Sequence, residues 1–272
     1  MKTLKIVAVT VLIALLSVSL FGCVNITRYS FDRAESFKIG GFEISADNVE
    51  IHKLEINWVA GSVKVTSNDK NLISVTETDQ SSEDNRLRYE LTGGKLTVAF
   101  CKPGLTLNSV KDKALEISLP GDILEGLSEL KASSVSADIS VSGVTAKKAE
   151  IKTVSAKTGL DLCSFDDLDL DTVSGDMSAI SEIGKLKVNT VSAKMTLQCA
   201  NAPHWLSFNS VSGDLEIKAA EYPGFTAQIN ALGGKLESSL ELKDSGKDKI
   251  YKDGECEYHF NSVTGKVKLN IA

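Results

Sequence analysis

A short motif that recurs about every nineteen residues is the feature that most restricts how this chain can fold. It consists of a hydroxyl residue, Val, Ser, Gly or Ala, Asp or Lys, and usually an apolar residue. Its second residue falls at Val135, Val154, Val173, Val191, Val211, Leu232 and Val263. These positions are separated by 19, 19, 18, 20, 21 and 31 residues, and such self-similarity is typical of stacked structural repeats.

Between copies of the motif, apolar and polar residues alternate with a period of two, as in residues 193–197. This period predicts strands. The inward-facing parity changes at Val191-Ser192, as it does at a corner or bulge. One such unit cannot bury its apolar face alone, so it must stack on its neighbours. We therefore predict an all-β fold, a single-chain β-solenoid (β-helix) with coils of about 19 residues. Its domain, 38–272, comprises irregular N-terminal coils at 38–120 and regular repeats at 121–272.

Two polar rows follow from this register. The residue after the Gly or Ala of the motif alternates in charge along the chain: Asp138, Lys157, Asp176, Lys194, Asp214 and Lys235. With coils about 4.8 Å apart, each carboxylate would lie beside an ammonium group, and these pairs would set the register of the stack. The serine after each valine predicts a hydroxyl ladder rather than a set of nucleophiles: Ser136, Ser155, Ser174, Ser192 and Ser212.

The cysteines test the same register. Cys101, Cys163, Cys199 and Cys256 are an even number, which suggests disulfides in an exported chain. However, Cys163 and Cys199 occupy similar places two coils apart. Two inter-strand steps span roughly 9–10 Å, which exceeds the reach of a disulfide. We predict no bond between these two residues and interpret both as small buried hydrophobic residues.

The N-terminus has the pattern of an export signal. Lys2 and Lys5 precede an uncharged run at residues 6–20, which is shorter than the roughly 20 apolar residues of a transmembrane helix. The run ends in Leu20-Phe21-Gly22-Cys23, which resembles the signal peptide of bacterial lipoproteins. The resemblance implies that residues 1–22 are removed and that Cys23 is acylated. An ordinary secretory signal that contains a cysteine is the alternative.

Acylation of Cys23 predicts anchoring in the lipid bilayer, on the extracytoplasmic face of the cell membrane, with a tether at residues 23–37. Each buried CH₂ of the lipid adds about 0.8 kcal/mol of membrane affinity. Removal of Lys2 and Lys5 with the signal changes the formal net charge from −6 to −8. This acidic balance argues against nucleic acid as a partner.

Several segments together resemble one known family. They are an early strand at Gly61-Ser62-Val63, a strand that ends in Leu119-Pro120, the repeated Val-Ser-Gly-Asp turns and a closing segment at 251–269. Nearly all of the mature chain is similar in these features to the bacterial putative-adhesin family of β-strand-repeat proteins. The resemblance implies a surface-exposed or envelope-associated β-helix, sometimes linked to envelope-stress systems, and it supplies no catalytic residues. We expect its partner to be an unidentified envelope protein or a polysaccharide.

The sequence gives little sign of catalysis. No hydrolase, zinc-protease, phosphate-loop or paired-cysteine motif occurs, and His52, His204 and His259 are scattered. We therefore predict no metal site, no cofactor and no enzymatic activity. The irregular site at His204-Trp205, where the spacing lengthens to 20 residues, is a candidate contact loop. Two alternatives remain open at this point: a carbohydrate-active β-helix enzyme (lyase or glycosidase), and a scaffold that polymerises end to end.

Overall fold

The computed structural model describes residues 28–78, 82–106 and 112–272. These residues form 22 strands, a 3₁₀ helix at Asp32–Ser36 and one short α-helix, α1, at Gly121–Glu125. The all-β prediction is therefore confirmed. The strands are β1 Lys38–Ile39, β2 Phe42–Ser45, β3 Lys53–Asn57, β4 Gly61–Asn68, β5 Leu72–Glu77, β6 Arg88–Thr92, β7 Lys95–Ala99, β8 Lys113–Pro120, β9 Leu127–Ser134, β10 Asp138–Ser142, β11 Thr145–Thr153, β12 Thr158–Thr172, β13 Met177–Thr190, β14 Lys194–Asn201, β15 Trp205–Ser210, β16 Asp214–Glu221, β17 Phe225–Ala231, β18 Lys235–Ser238, β19 Lys243–Ser245, β20 Asp248–Tyr251, β21 Cys256–Ser262 and β22 Lys266–Ile271.

Most strands belong to two parallel ladders. The strands that lead into the motif form ladder A, in the order β7, β3, β9, β11, the second half of β12, the second half of β13, β15, β21 and β17. The strands that leave it form ladder B, in the order β8, β4, β10, the first halves of β12 and β13, β14, β16, β22 and β18. Each repeat thus contributes one strand or half-strand to each ladder.

Alternation along each strand places apolar side chains inside. One inward row of ladder A is at most 1% exposed: Leu54, Leu130, Ala149, Leu168, Leu186 and Leu206. Successive members of this row are paired residues on neighbouring strands, so one continuous core runs along the stack. Period two in the sequence therefore becomes an inner apolar face and an outer polar face.

The spacing of the motif equals the register of the pairing. Thr153 pairs with Thr172, Thr172 with Thr190, and Thr190 with Ser210, which are offsets of 19, 18 and 20 residues. The offset between paired residues falls from 19 to 18 because the register shifts at Leu162, between Asp161 and Cys163. Leu162 adopts φ 52° and forms a bulge that the next repeat lacks.

The hydroxyl that begins each motif caps the corner between the two ladders. Ser134 accepts the Ala137 N–H at 2.8 Å and donates to the Ala137 carbonyl oxygen at 2.8 Å. Thr172 accepts the Gly175 N–H at 3.0 Å in the same way. These hydroxyl residues are buried in successive repeats: Ser134, Thr153, Thr172, Thr190, Ser210 and Ser262. A buried hydroxyl is needed at this position because the corner leaves backbone groups outside both ladders.

The predicted hydroxyl ladder of the serines that follow the motif valines is wrong, because these serines do not bond to one another. Ser155 Oγ donates to the carbonyl oxygen of Val135 in the preceding repeat at 3.4 Å, and its N–H donates to the same oxygen at 3.0 Å. The equivalent side chains also donate to a valine carbonyl of the preceding repeat: Ser136, Ser174 and Ser212. At Ser192, the N–H donates to the Val173 carbonyl at 3.0 Å. Backbone carbonyls, rather than neighbouring hydroxyls, are therefore the acceptors in this row.

The order of repeats in the stack differs from chain order at both ends. The repeat of β21 and β22 lies between those of β15–β16 and β17–β18, although it comes last in the sequence. At the other end, the repeat of β3 and β4 comes first in the sequence but lies nearer the middle of the stack than the repeat of β7 and β8. Antiparallel strands cover three ladder ends: β6 lies on β7, β5 on β8 and β20 on β17.

This order corrects the predicted charge row. Asp214 is followed by Lys266, and Lys235 lies beyond Lys266 as a like charge. The carboxylates also have a different role from the one predicted. Asp138 Oδ1 accepts the Lys157 N–H, and the equivalent bonds join Asp176 to the Lys194 N–H and Asp214 to the Lys266 N–H, all at 2.8 Å. Each Asp therefore accepts an N–H at the beginning of the strand stacked on it, or from the residue just before that strand.

We expect Asp176→Ala to lower the free energy of unfolding by about 1–2 kcal/mol, because the Lys194 N–H loses a charged acceptor. Asp176→Asn keeps an acceptor oxygen and should lose less. Urea denaturation followed by circular dichroism at 0.1 M and 1 M NaCl measures both variants. Because the partner is a backbone N–H rather than an ammonium group, most of the loss should persist in high salt. A loss that vanished at 1 M NaCl would support the ion-pair row instead.

The predicted tether at residues 23–37 is too long. Tyr29, Ala34 and Phe37 are buried in the core. The Tyr29 N–H donates to the Leu105 carbonyl at 2.9 Å, and Tyr29 Oη accepts the Phe100 N–H at 3.1 Å. Residues from Tyr29 onward therefore belong to the packed domain rather than to a tether. The predicted signal at residues 1–22 and Cys23 lie outside the described residues.

Candidate interaction surface

The structure separates the two side chains of the predicted contact loop. The loop is held from both sides, because Tyr258 Oη donates to the Pro203 carbonyl at 2.6 Å and the His204 N–H donates to the Gly184 carbonyl at 2.9 Å. Burial raises the pKa of the Tyr258 phenol well above its ordinary value, so this donor keeps its proton. Trp205 then begins β15 and lies on the outer face of ladder A, whereas His204 lies at the corner.

His204 lines a cleft of about 430 Å³ that also contains Glu182, Asn201 and Glu221. Glu182 has a structural role here, since its carboxylate accepts the N–H groups of Ala200 at 2.6 Å and Asn201 at 3.2 Å. This carboxylate supports the end of β14. The cleft therefore does not present two unengaged carboxylates of the kind that glycosidase chemistry requires.

Trp205 belongs to a regular grid of outward residues on β15, β21 and β17. Trp205 pairs with Glu257, which pairs with Thr226. Two further rows run beside this one, and we call the nine residues together the Trp205 surface: Trp205, Ser207, Asn209, Glu257, His259, Asn261, Thr226, Gln228 and Asn230. The Trp205 and His259 rings lie 6.3 Å apart between centroids, at 59°.

Asparagines form one row of this surface and bond to one another along the stack. Asn209 Nδ2 donates to Asn189 Oδ1 at 2.9 Å, Asn261 Nδ2 to Asn209 Oδ1 at 2.8 Å, and Asn230 Nδ2 to Asn261 Oδ1 at 3.1 Å. At the inner end, Asn189 Nδ2 donates to Asp171 Oδ1 at 2.7 Å. The ladder locks these amides in register on the outer face.

Sequence reasoning missed this amide row, although a signal existed. An asparagine stands directly before the hydroxyl or alanine of four motifs: Asn189, Asn209, Asn230 and Asn261. The contact between Trp205 and His259 could not be predicted from the sequence, because 53 residues lie between them. They are neighbours because β21 stacks on β15 out of chain order.

Charged side chains occupy the same face nearer the other end of ladder A. Glu129 lies 3.0 Å from Lys131 and 3.7 Å from Lys53, and Lys152 bonds to Glu150 at 2.5 Å. Burial opposes ionisation of Glu129, but these two lysines hold its pKa below the ordinary value. This part of the face is thus an ion-pair network, and it differs chemically from the Trp205 surface.

Ladder B carries a second, shallow groove of about 610 Å³ on its outer face. Small residues line its floor, among them Ser140, Gly159 and Ser178, and the charged row with Asp176 and Lys194 lines one side. Its acids are engaged with backbone N–H groups, as described above. The groove therefore follows from the small side chains of successive repeats.

Thiol chemistry is suppressed by burial. The four described cysteines, Cys101, Cys163, Cys199 and Cys256, are free thiols. Burial raises the pKa of Cys101 and of Cys199 to about 12. Ser181 pairs with Cys163 and lies between the repeats of Cys163 and Cys199, which confirms the register used to argue against a bond between them. Both side chains are buried among hydrophobic residues, as predicted.

The described ranges contain no preformed metal site. Within them, no group of three or more His, Cys, Asp or Glu side chains is placed to hold a metal ion. Those ranges also contain no helix that is long and apolar enough to cross a membrane.

A family model described as Toastrack DUF4097 matches residues 51–270, which is most of the chain. The chain belongs to this family. The predicted family resemblance is thereby confirmed. No curated protein matches the Toastrack chain.

Three solved structures illustrate its structural neighbours. A putative adhesin from Bacteroides fragilis has 13% identity and a TM-score of 0.42, with 88% of this chain and 99% of that chain covered. A putative cell adhesion protein from Clostridium sporogenes has 12% identity and a TM-score of 0.38, with 86% and 100% covered. A putative lipid binding protein from Parabacteroides distasonis has 16% identity and a TM-score of 0.34, with 85% and 96% covered.

Proposed function

We propose that this Toastrack protein is a non-enzymatic, lipid-anchored β-solenoid that presents an adhesin-like binding face outside the cytoplasmic membrane. The observation that carries the proposal is the outer face of ladder A, where nine parallel strands or half-strands place polar side chains in register. Such a face is held rigid by the core beneath it, so its side chains are preorganised for contact with a partner.

The solenoid reading is supported by the stacked corners. Backbone bonds join successive corners through the Ser155 N–H to Val135, the Ser174 N–H to Val154 and further equivalents, with lengths of 2.9–3.0 Å for these two. One turn of chain per repeat, of about 19 residues, connects both ladders. The small departures from 19 are local, as at the Leu162 bulge.

The anchor is supported by the motif at Cys23 and by the position of Tyr29. Six residue steps separate Cys23 from Tyr29, which span at most about 20 Å. Tyr29 contacts Phe100 and Asn57, next to β7 and β3, so it lies at the first end of ladder A. Acylated Cys23 would hold that end near the bilayer and leave the β21–β17 end outermost.

Covered ladder ends favour a discrete module over a polymer that grows end to end. Of the four ladder ends in the part of the chain described, antiparallel strands cover β7, β8 and β17, and only the end at β18 has no second strand partner. That edge begins with Lys235 beside Lys266, and lysine at an exposed edge opposes pairing with another sheet.

Metabolic labelling with a fatty acid analogue tests the anchor. We expect the wild-type chain to incorporate the label and to sediment with membranes, and Cys23→Ala to do neither, because only the thiol at this position accepts the lipid. Cys256→Ala is the matched control and should label normally, since Cys256 belongs to the packed domain. Equal labelling of wild type and Cys23→Ala would remove the anchor from the proposal.

Photo-crosslinking in intact cells tests the interaction. A photoreactive amino acid at Gln228, on the outermost strand of ladder A, should capture an extracytoplasmic partner. The same group at Lys53, in the ion-pair network near the proposed anchor, is the control position. Failure to capture anything from Gln228, or equal capture from Lys53, would contradict a binding face at the outer end.

A further inference from the structure

We propose that the Trp205 surface binds a neutral polysaccharide. The inference rests on the proposed function, since it names the partner class of the same outer face. The chemistry of a sugar polymer is specific: its rings present apolar C–H faces, and its hydroxyl groups donate and accept hydrogen bonds around their edges. A site for such a ligand needs an exposed aromatic face, planar polar groups beside it, and little net charge.

Trp205 supplies the aromatic face. Its side chain lies on the outer face of a parallel sheet and is partly exposed. The His259 ring beside it, at 6.3 Å, widens the platform. Within the described residues, the indole N–H of Trp205 donates to no protein acceptor, so this donor is available at the edge of the ring. An apolar face with an unused donor at its edge is therefore available to a hydroxyl-bearing ring.

The amide row supplies the polar groups. A primary amide has two N–H donors and two acceptor sites on its oxygen. Asn261 uses one donor toward Asn209 and one acceptor site toward Asn230. One donor and one acceptor site remain, and they lie side by side on a planar group that cannot rotate without breaking the ladder. Such a pair matches two neighbouring hydroxyls of one sugar ring.

The charge pattern favours a neutral ligand. Within the Trp205 surface, Glu257 is the one acid, and its carboxylate lies 3.4 Å from His259 Nε2. The ion-pair network begins on the far side of β13, where Asp171 and Lys152 approach to 3.9 Å. On β13 itself, Lys185 pairs with Trp205 and Lys187 with Ser207, so two lysines border the surface and offset the charge of Glu257. The whole chain has a formal net charge of −6, which opposes long-range attraction of a polyanion.

Periodicity favours a polymer over a small molecule. The three strands of the surface repeat roughly every 4.8 Å, so equivalent groups recur along the stack at a constant interval. An extended chain that runs along the stack can therefore meet equivalent groups on several strands. Seven inter-strand steps separate β21 from β7, roughly 34 Å, so an anchor at Cys23 would leave the surface pointing away from the bilayer.

Co-sedimentation of the full chain, purified in detergent, with insoluble polysaccharides tests the proposal. The probes are cellulose, chitin, a β-1,3-glucan and a neutral mannan, with alginate beads as a polyanion. We expect at least one neutral polymer to retain the protein. Trp205→Ala should weaken this binding by roughly tenfold or more, since aromatic residues at the centre of a binding surface dominate affinity. Trp205→Tyr, which keeps an aromatic face, should retain part of it.

Thr196→Ala on ladder B is the matched control, and it should bind as wild type does.

Tryptophan fluorescence gives a second readout, because the chain has two tryptophans and Trp58 is buried. Soluble oligosaccharides of the retained polymer should change the emission of wild type and leave that of Trp205→Phe unchanged. Circular dichroism checks that each variant folds.

Three results would each overturn the proposal. They are retention of the wild type by alginate alone, no retention by any of the four neutral polymers, and equal retention of the wild type and Trp205→Ala. Because the binding is measured on the purified chain, these results do not depend on the anchor. A protein partner captured in cells from Gln228, combined with no polysaccharide binding, would leave the proposed function standing and refute this inference alone.

Discussion

Replacement of Glu77 with alanine should lower the free energy of unfolding by about 3–5 kcal/mol, because it removes a carboxylate that is paired with a buried ammonium group. Lys113 Nζ lies 2.6 Å from Glu77 Oε2, and both side chains are 1% exposed. The ammonium also donates to the carbonyl oxygens of Asn85, at 2.5 Å, and Phe100.

The surroundings of this pair show why its loss should be large. Lys113 Nζ lies 5.0 Å from the Trp58 ring centroid and 4.4 Å from that of Phe100. Glu77 Oε1 accepts the Leu87 N–H at 2.7 Å. The pair thus joins β5, β8 and the segments after β3 and β7, which come from distant parts of the chain. Its removal should loosen the covered end of the stack.

Urea unfolding followed by circular dichroism measures the effect as a change in midpoint at constant slope. Glu77→Leu combined with Lys113→Met should be less destabilising than Glu77→Ala, because neither charge of this pair then remains buried. Asp244→Ala is the control for an exposed pair, since Asp244 bonds to Lys249 at the surface, and it should cost about 1 kcal/mol or less. A Glu77→Ala loss of that same size would show that water reaches Lys113.

The sequence predicted the local features of this fold well. Period-two alternation identified the strands, as in residues 193–197, most of which belong to β14. The register of the repeats also followed, as in the pairing of Thr153 with Thr172. These features depend on residues that are close in sequence or on a constant spacing, so a single sequence is enough to predict them.

The order of repeats at the ends could not be predicted. Every repeat has the same inward apolar and outward polar pattern, so any repeat can stack on any other. The 31-residue spacing before Val263 contains the β19–β20 hairpin, which covers β17 and leaves room for β21 beneath it. The Trp205 surface depends on this exchange, because β21 brings His259 beside Trp205. Neither Glu77 nor Lys113 has a sequence signal, since both lie in polar stretches.

Gly175→Ala is the second substitution for which we expect a large loss. A Cβ added to Gly175 would lie 1.8 Å from the Ala156 carbonyl oxygen and 2.8 Å from its carbon. That obstacle is backbone of the neighbouring repeat, so no side-chain rotation removes it. Relief requires the corner to move away from the stack, and we expect a cost of about 3 kcal/mol, the upper range for an overpacked interior.

The corner has little freedom to move. The Gly175 N–H donates to Thr172 Oγ1 at 3.0 Å, and the next residue, Asp176, accepts the Lys194 N–H at 2.8 Å. A displaced corner would weaken both bonds and separate two repeats. The small residue that the motif requires is therefore explained by the approach of one backbone to the next, rather than by an unusual conformation at the glycine.

Gly159→Ala is the matched control, because Gly159 lies in β12 and its added Cβ would meet nothing closer than the Ile139 carbonyl oxygen at 4.0 Å. There the methyl group restricts the unfolded chain without a clash, so stability should be unchanged or higher by about 0.4–1 kcal/mol. Thermal and urea unfolding of both variants make the comparison. Equal stability of Gly175→Ala and Gly159→Ala would mean that the corners are not in close contact, and the stacking of repeats through them would have to be abandoned.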